Sequence, residues 1–169
     1  MTDFARLMSD YFVKYLAGQK GSGSNTMKTY RDTFVQLLEF MDEKKHIRAD
    51  CIEVDSFSYD IINEFLEYLE KEKRVSISTR NNRLAAIRSF FKYTGYHEPK
   101  YLNISTSIRE ISKKKTEGRQ MNYLSVNAME HFLNSFDKTD HKELRCFCIV
   151  LLLYESGARV TELCNVRRY

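Results

Sequence analysis

Apolar side chains recur every three or four residues along most of this 169-residue chain. That spacing places them on one face of an α-helix, whereas a half-buried strand would need them at every second position. The chain also contains a single proline, the residue that most strongly interrupts helices. The pattern therefore predicts an all-α fold in which amphipathic helices bury their apolar faces together.

The periodic stretches predict four helices in the first part of the chain, near 3–17, from about 25 to 41, 58–73 and 78–93. Gly95 and Pro99 are expected to end the fourth helix, and residues 105–122 are interpreted as a basic linker. Further helices are predicted with Ser125 as N-cap, at 141–155 and from 159 to 163. The strongly apolar 141–155 helix is expected to be the centre of a second core.

Positive charge is concentrated in two places although the net charge is only +4. The stretch 76–94 carries four basic and no acidic residues, and 105–124 carries five basic and two acidic ones. Two local basic surfaces predict a polyanionic partner bound at defined places.

The predicted fourth helix has a polar face suited to DNA. Arginine and asparagine make paired contacts with guanine and adenine edges, so this face fits the major groove. Solvated basic faces are also common on helices, and that alternative stays open. Because Arg83 and Arg88 lie off the apolar stripe, reversing either charge is expected to weaken DNA binding without unfolding the protein. The candidate residues of this face are Arg80, Asn81, Asn82, Arg83, Arg88 and Lys92.

Two further segments are candidates for phosphate contacts. The free amides and positive end of the predicted second helix favour an anion, and polar side chains crowd its first turns. The lysine run of the linker could follow a DNA backbone, although such runs are often only solubilising spacers. The candidates in these segments are Thr26, Lys28, Thr29, Arg31, Lys113, Lys114 and Lys115.

Arg159 follows a glycine turn, directly after the most apolar helix. Its guanidinium is therefore expected to lie close to a protein body, where it would need an anion such as phosphate or carboxylate. Glu162, one turn later, can hold or neutralise it. The alternative is an Arg159–Glu162 pair that only caps the turn.

Four segments resemble the tyrosine recombinase, or phage integrase, family. The segment 154–163, YESGARVTEL, is similar to the one that bears the first catalytic arginine of that family. The segments 25–30 (NTMKTY) and 78–91 (STRNNRLAAIRSFF) resemble the second and fourth helices of its core-binding domain, and 123–125 (YLS) resembles the entry into its catalytic domain. The resemblance covers nearly the whole chain, in the family's order and spacing.

The resemblance implies a domain organisation. Residues 1–113 would form a SAM-like core-binding bundle, 114–122 a basic linker, and 123–169 the truncated helical start of a catalytic domain. The two domains would clamp opposite faces of double-stranded DNA, and further recombinase protomers would join on synapsed DNA.

The resemblance also implies a reaction. In this family a tyrosine hydroxyl attacks a DNA phosphodiester, forms a 3′-phosphotyrosyl link and is displaced by the 5′-hydroxyl of a partner strand, without metal or cofactor. Arg159 would stabilise negative charge on the phosphate and Glu162 would support the site. The family's His-x-x-Arg segment and tyrosine nucleophile are not found after Arg159, and Tyr169 is interpreted as an ordinary residue. The chain is therefore expected to bind DNA without cleaving it, and whether it is an enzyme stays open.

Other classes of partner and site are not expected. The longest apolar run, 149–154, is far shorter than the ~20 residues of a membrane span, which favours a cytoplasmic protein. No small-molecule substrate is indicated. The four cysteines lack metal-ligand spacing and are expected to be buried thiols. Two alternatives to a recombinase remain: a free-standing, non-catalytic DNA-binding regulator and a helical protein-interaction scaffold.

Overall fold

A computed structural model describes residues 2–116, 118 and 123–166, and the all-α prediction is confirmed. The chain divides into two compact units, Met1–Glu117 and Gly118–Tyr169. The division falls inside the segment 114–122 that was predicted to be a linker. Residues 117 and 119–122 of that segment lie outside the described residues, as does Tyr169.

Unit 1 contains five α-helices with short connections. Three of them begin at an N-cap whose hydroxyl accepts a backbone N–H, namely Thr2, Ser58 and Ser76. The helices are α1 (Asp3–Asp10), α2 (Ser24–Lys45), α3 (Tyr59–Lys71), α4 (Ile77–His97) and α5 (Leu102–Glu110), with 3₁₀ turns at Ala49–Cys51, Val54–Ser56 and Pro99–Tyr101.

The core of unit 1 is aromatic and centres on α4. The Phe90 ring packs against Phe4, Tyr11, Phe34 and Phe91, with ring centroids 5.2–5.5 Å apart. Aromatic pairs at such distances stabilise a core beyond the area they bury. The predicted inward face of the fourth helix is confirmed, because Leu84, Ile87, Phe90 and Phe91 are all fully buried.

The first helix differs from its prediction because α1 passes directly into a π-helix, Tyr11–Gln19. Its wider turns bring the backbone N–H of Lys20 to the carbonyl of Tyr15, at 2.8 Å. Lys20 is therefore the C-cap residue of the π-helix.

The fourth helix does not stop at Gly95 as predicted. It continues to His97, and Gly95 is buried against α5. A Cβ on Gly95 would lie only 2.8 Å from the Cβ of Ser105, so the absence of a side chain is what allows the two helices to approach.

The predicted linker was wrong over residues 105–110, which belong to α5. Ser105 is buried and donates to the carbonyl of Phe91 at 2.6 Å. Ile108 and Ile111 enter the core. The basic residues of this stretch obscured an amphipathic helix whose buried face is short.

Unit 2 contains α6 (Val126–Asn134), α7 (His141–Ser156) and α8 (Val160–Cys164). The predicted N-cap is confirmed, because the hydroxyl of Ser125 accepts the N–H of Ala128. Phe136 packs edge-on against Phe132 and Phe147, with centroids 5.2 and 6.2 Å apart.

The expectation that α7 is the centre of a second core was wrong for the residues that the structure describes. Within 123–166 no residue is buried, and Leu152 of α7 keeps 50% of its surface exposed. The prediction of buried thiols was also wrong, because all four cysteines are exposed. None of the described helices combines the length and the apolar character that a membrane span requires.

Candidate nucleic-acid interface

A polar groove lies where the start of α2 meets the middle of α4. It encloses about 300 Å³ and is lined by Asn25, Thr26, Thr29, Tyr30, Asn82 and Ala85. Three residues predicted to bind DNA, Thr26, Thr29 and Asn82, therefore come together here. Asn82 is exposed, so its amide can reach a partner in this groove.

A basic pocket adjoins the polar groove and shares Tyr30 and Ala85 with it. It encloses about 490 Å³, and no acidic residue among those described lines it. Cations that converge without a counter-charge create a positive potential that attracts an anion. Its lining consists of five cationic residues, Lys20, Arg88, Lys92, Arg109 and Lys113, together with Tyr15, Tyr30, Ala85 and Ser89.

The five cations come from four different parts of unit 1. Lys20 caps the π-helix, and Arg88 and Lys92 lie one turn apart on α4. Arg109 belongs to the last turn of α5, and Lys113 follows that helix. The pocket is thus a product of the tertiary fold, and no single segment carries it.

Arg88 lines the basic pocket and is half-buried. Its Nη2 donates to the carbonyl of Arg109 at 2.6 Å and also to the carbonyl of Ile111. These carbonyls lie at the C-terminal end of α5, where a cation is favoured by the helix dipole. Arg88 therefore holds the chain after α5 against α4 while its charge contributes to the pocket.

The segment Ile111–Lys114, which we call the strap, is fastened to α4 by polar side chains. Arg80 donates from Nη1 to the carbonyl of Ser112 at 3.2 Å. Asn81 pairs twice with Lys114: its Nδ2 donates to the carbonyl at 2.8 Å, and its Oδ1 accepts the N–H at 3.1 Å. These side chains satisfy backbone groups that would otherwise need water.

The expectation that Arg80 lies on the outside of its helix was wrong, because only 5% of the residue is exposed. Its Nε lies 3.1 Å from a carboxylate oxygen of Glu70, and Lys114 forms an ion pair with the same carboxylate at 2.7 Å. The strap covers Arg80, and Glu70 neutralises it. Asn81, Arg80 and Lys114 are thus engaged with one another and with α3.

Arg83 links α4 to α2. Its Nη1 donates to the carbonyl of Thr29 at 2.8 Å and to the hydroxyl of Thr33 at 3.2 Å, and Thr33 is fully buried. The position of Arg83 and Arg88 off the apolar stripe does not make them free surface residues. Both guanidinium groups make internal hydrogen bonds, so reversing either charge would break contacts within the fold. The structure therefore contradicts the reason for expecting the charge-reversed variants to stay folded.

The remaining candidates in unit 1 are exposed but line neither depression. Lys28 and Arg31 lie on the outer surface of α2, and Lys115 follows the strap. Lys92, in contrast, is exposed at the rim of the basic pocket, with its ammonium 5.9 Å from the centre of the Tyr96 ring.

In unit 2, the expectation that Arg159 lies close to a protein body was wrong, since its side chain is 83% exposed. Its Nη1 donates to one carboxylate oxygen of Glu162 at 3.0 Å, and its backbone N–H donates to the other at 2.8 Å. This is the turn-capping arrangement that the sequence left open as the alternative.

Four residues of the basic pocket were not predicted from the sequence: the cations Lys20 and Arg109, and the tyrosines Tyr15 and Tyr30. Arg109 lies in a stretch that was predicted to be basic, but Lys20 stands directly before a glycine, Gly21, and gave no periodic signal. The two tyrosines have the spacing of core residues, which concealed their place at the pocket.

Comparison with known proteins identifies the family. Residues 10–99, more than half of the chain, match the family described as phage integrase, N-terminal SAM-like domain. Over 97% of its length the chain is 27% identical to the protein y4rC of Sinorhizobium fredii, which bears the name integrase/recombinase, and it covers 49% of that relative. It is 26% identical to the tyrosine recombinase XerC of Staphylococcus aureus over 95% of this chain and 51% of that protein.

The chain thus spans about half the length of these curated relatives. No solved structure gives a significant match to it. The matched domain coincides with the π-helix and α2–α4, the elements that form the polar groove and most of the basic pocket. The chain belongs to the tyrosine recombinase, or phage integrase, family, and residues 10–99 form its N-terminal SAM-like domain.

Proposed function

We propose that unit 1 binds double-stranded DNA through the polar groove and the basic pocket, as the DNA-binding part of a site-specific recombinase. The observation that carries the proposal is the convergence of five cations in a pocket without a described acid, next to a groove with an exposed asparagine. Phosphates supply the charge that such a pocket attracts, and an asparagine amide can read an adenine edge.

The two depressions have different roles in this proposal. Lys20, Lys92, Arg109 and Lys113 contact the phosphate backbone and give affinity without sequence preference. Asn82 and Thr26 in the polar groove contact base edges or the adjoining backbone. Lys28 and Arg31, exposed on α2, remain additional phosphate contacts in the proposal, whereas Arg80, Asn81 and Arg83 hold the unit together.

A salt titration of DNA affinity tests the proposal. The substitution Lys92→Gln removes one exposed cation of the pocket and changes no internal hydrogen bond that the described residues make. If Lys92 contacts a phosphate, the slope of log K against log salt should become shallower by about 0.9. Fluorescence anisotropy with a labelled duplex measures both the affinity and the slope.

The matched control is Lys71→Gln on α3, where the lysine is equally accessible but pairs with Glu67. This variant should bind DNA as the unsubstituted chain does. An affinity that is absent, or that does not respond to salt in any variant, would favour the helical interaction scaffold over a DNA-binding protein.

For unit 2 we propose that Arg159, supported by Glu162, serves the phosphotyrosine chemistry of the whole recombinase, in which DNA strands are broken and rejoined. The 169 residues contain no His-x-x-Arg segment after Arg159, so we expect this chain to bind DNA without cleaving it. Incubation with a labelled duplex should give no covalent protein–DNA adduct on a denaturing gel. An adduct formed through Tyr169 would contradict this expectation.

A further inference from the structure

The strap and α4 are matched in length and run in opposite directions. Arg88 holds the carbonyl of Ile111, and Asn81 holds both backbone groups of Lys114. The rise along α4 from Asn81 to Arg88 is about 10.5 Å. An extended path from Ile111 to Lys114 covers about 10 Å. The side chains of α4 can therefore hold the strap along its whole length.

The strap also supplies one side of the basic pocket. Lys113 belongs to it, and Arg109 lies just before it, whereas Lys20 and Lys92 come from the π-helix and α4. When the strap is seated, these like charges are brought together and repel one another, which opposes its docking. An anion in the pocket would remove that repulsion.

We propose that the basic pocket closes on a DNA phosphate only when the strap is seated, and that Asn81 is the positioning residue that keeps it there. Asn81 does not line the pocket, so it acts on the phosphate through Lys113, the pocket residue of the strap. The inference rests on the proposed function, because the ligand is a DNA phosphodiester.

Thermodynamic linkage makes the inference reciprocal. If seating of the strap favours phosphate binding, then phosphate binding must favour seating of the strap by the same factor. The strap should therefore be better protected from hydrogen exchange when DNA is bound, and a loosened strap should bind DNA less tightly.

The test uses the full 169-residue chain and the substitution Asn81→Ala, which removes both hydrogen bonds to Lys114 and the one that Asn81 Oδ1 accepts from Arg80, but no core side chain. We expect DNA affinity at low salt to fall about fivefold, at the lower end of typical couplings between sites. The slope of log K against log salt should become shallower by about 0.9, as for one lost phosphate contact. A residue that only stabilises the fold would leave this slope unchanged.

A double substitution separates direct contact with the phosphate, by Lys113, from positioning of the strap, by Asn81. Lys113→Gln should lower the slope by the same amount, about 0.9, because it removes the contact directly. Adding Asn81→Ala to Lys113→Gln should then change the slope little further, since both act on one contact. Asn103→Ala, an exposed asparagine of α5, is the matched control and should leave affinity and slope unchanged.

Hydrogen exchange measured by mass spectrometry gives a second readout, on a peptide covering residues 109–116. A duplex should slow exchange of this peptide in the unsubstituted chain, and Asn81→Ala should speed it in the free protein. Circular dichroism melting confirms that every variant is folded at the temperature of measurement.

The outcomes distinguish this inference from the proposed function. If DNA binds equally well to Asn81→Ala, with the same slope and no protection of the strap, the inference is overturned and DNA binding stands. If no variant binds DNA, both fail. If inorganic pyrophosphate protects the strap and a duplex does not, the pocket serves a free anion and the inference is likewise overturned.

Discussion

At the scale of single residues, the role of an arginine on α4 is decided by the backbone that lies next to it. Arg80, Arg83 and Arg88 share one helix and one kind of sequence context, yet each donates to a carbonyl of another segment. The planar guanidinium presents several donors at once, which suits it to capping exposed carbonyls. Lys92, in contrast, lies near an aromatic ring and is exposed, so its ammonium stays accessible to DNA.

The clearest prediction at this scale concerns Arg83. Replacing it with glutamate removes hydrogen bonds to Thr29 and Thr33 and places a carboxylate beside a carbonyl. Because hydrogen bonds of charged groups are worth more than neutral ones, the free energy of unfolding should fall by about 2 kcal/mol. Urea denaturation followed by circular dichroism measures this change.

Arg31→Glu on the exposed surface of α2 is the control for that experiment, and it should change stability by less than about 0.5 kcal/mol. Equal stability of the two variants would show that the Arg83 hydrogen bonds do not hold α2 against α4.

At the scale of elements, the contact between α4 and α5 shapes the interface. The basic residues after Glu98 resemble a linker, but α5 packs on α4 through Gly95 and Ser105 and delivers Arg109 to the basic pocket. That packing places the end of α5, from which the strap follows, beside α4. A helix that contributes few buried side chains therefore completes the candidate site.

The prediction at this scale is that Gly95→Ala destabilises unit 1 although alanine favours helices. The new Cβ would lie 2.7 Å from the hydroxyl oxygen and 2.8 Å from the Cβ of Ser105, closer than atoms pack. Overpacking of this kind costs about 1–3 kcal/mol. Thermal melting of Gly95→Ala should show a lower midpoint than that of the unsubstituted chain.

A compensating substitution tests the cause. Ser105→Gly removes the atoms that the new Cβ would meet, at the cost of its own hydrogen bond to Phe91. In the Gly95→Ala background, Ser105→Gly should therefore lower the melting midpoint by less than it does in the otherwise unsubstituted chain. Purely additive losses would argue against a clash between these two residues.

At the scale of the whole molecule, the two units differ in how many of their side chains are buried. Unit 1 has a continuous core that includes aromatic residues from α1, the π-helix, α2, α3 and α4. In unit 2 the described residues include none that is buried, although α7 is more apolar in sequence than any α-helix of unit 1. Burial, and not helical propensity, supplies most of the stability of a helix in a protein.

Hydrogen exchange should reveal this difference. Amides of α7 should exchange much faster than those of α4, because a helix with few buried contacts opens locally at little cost. The measurement is a time course of deuterium uptake for peptides from α4 and α7 in the same sample. Comparable protection of the two helices would contradict this expectation.

The periodic apolar pattern by itself determined the all-α class, the existence of α2, α3, α4, α6 and α7, and the inward face of α4, because the burial of one face fixes which residues point inward. Motif resemblance indicated the family, which the match over residues 10–99 shows. Only the tertiary structure decided which cations converge. Lys20 lies far in sequence from Arg109 and Lys113, and the periodicity of one helix carries no information about what another segment places beside it. For the same reason, the sequence could identify Arg80, Arg83 and Arg88 as polar residues of α4 but could not show that each binds a carbonyl of the fold.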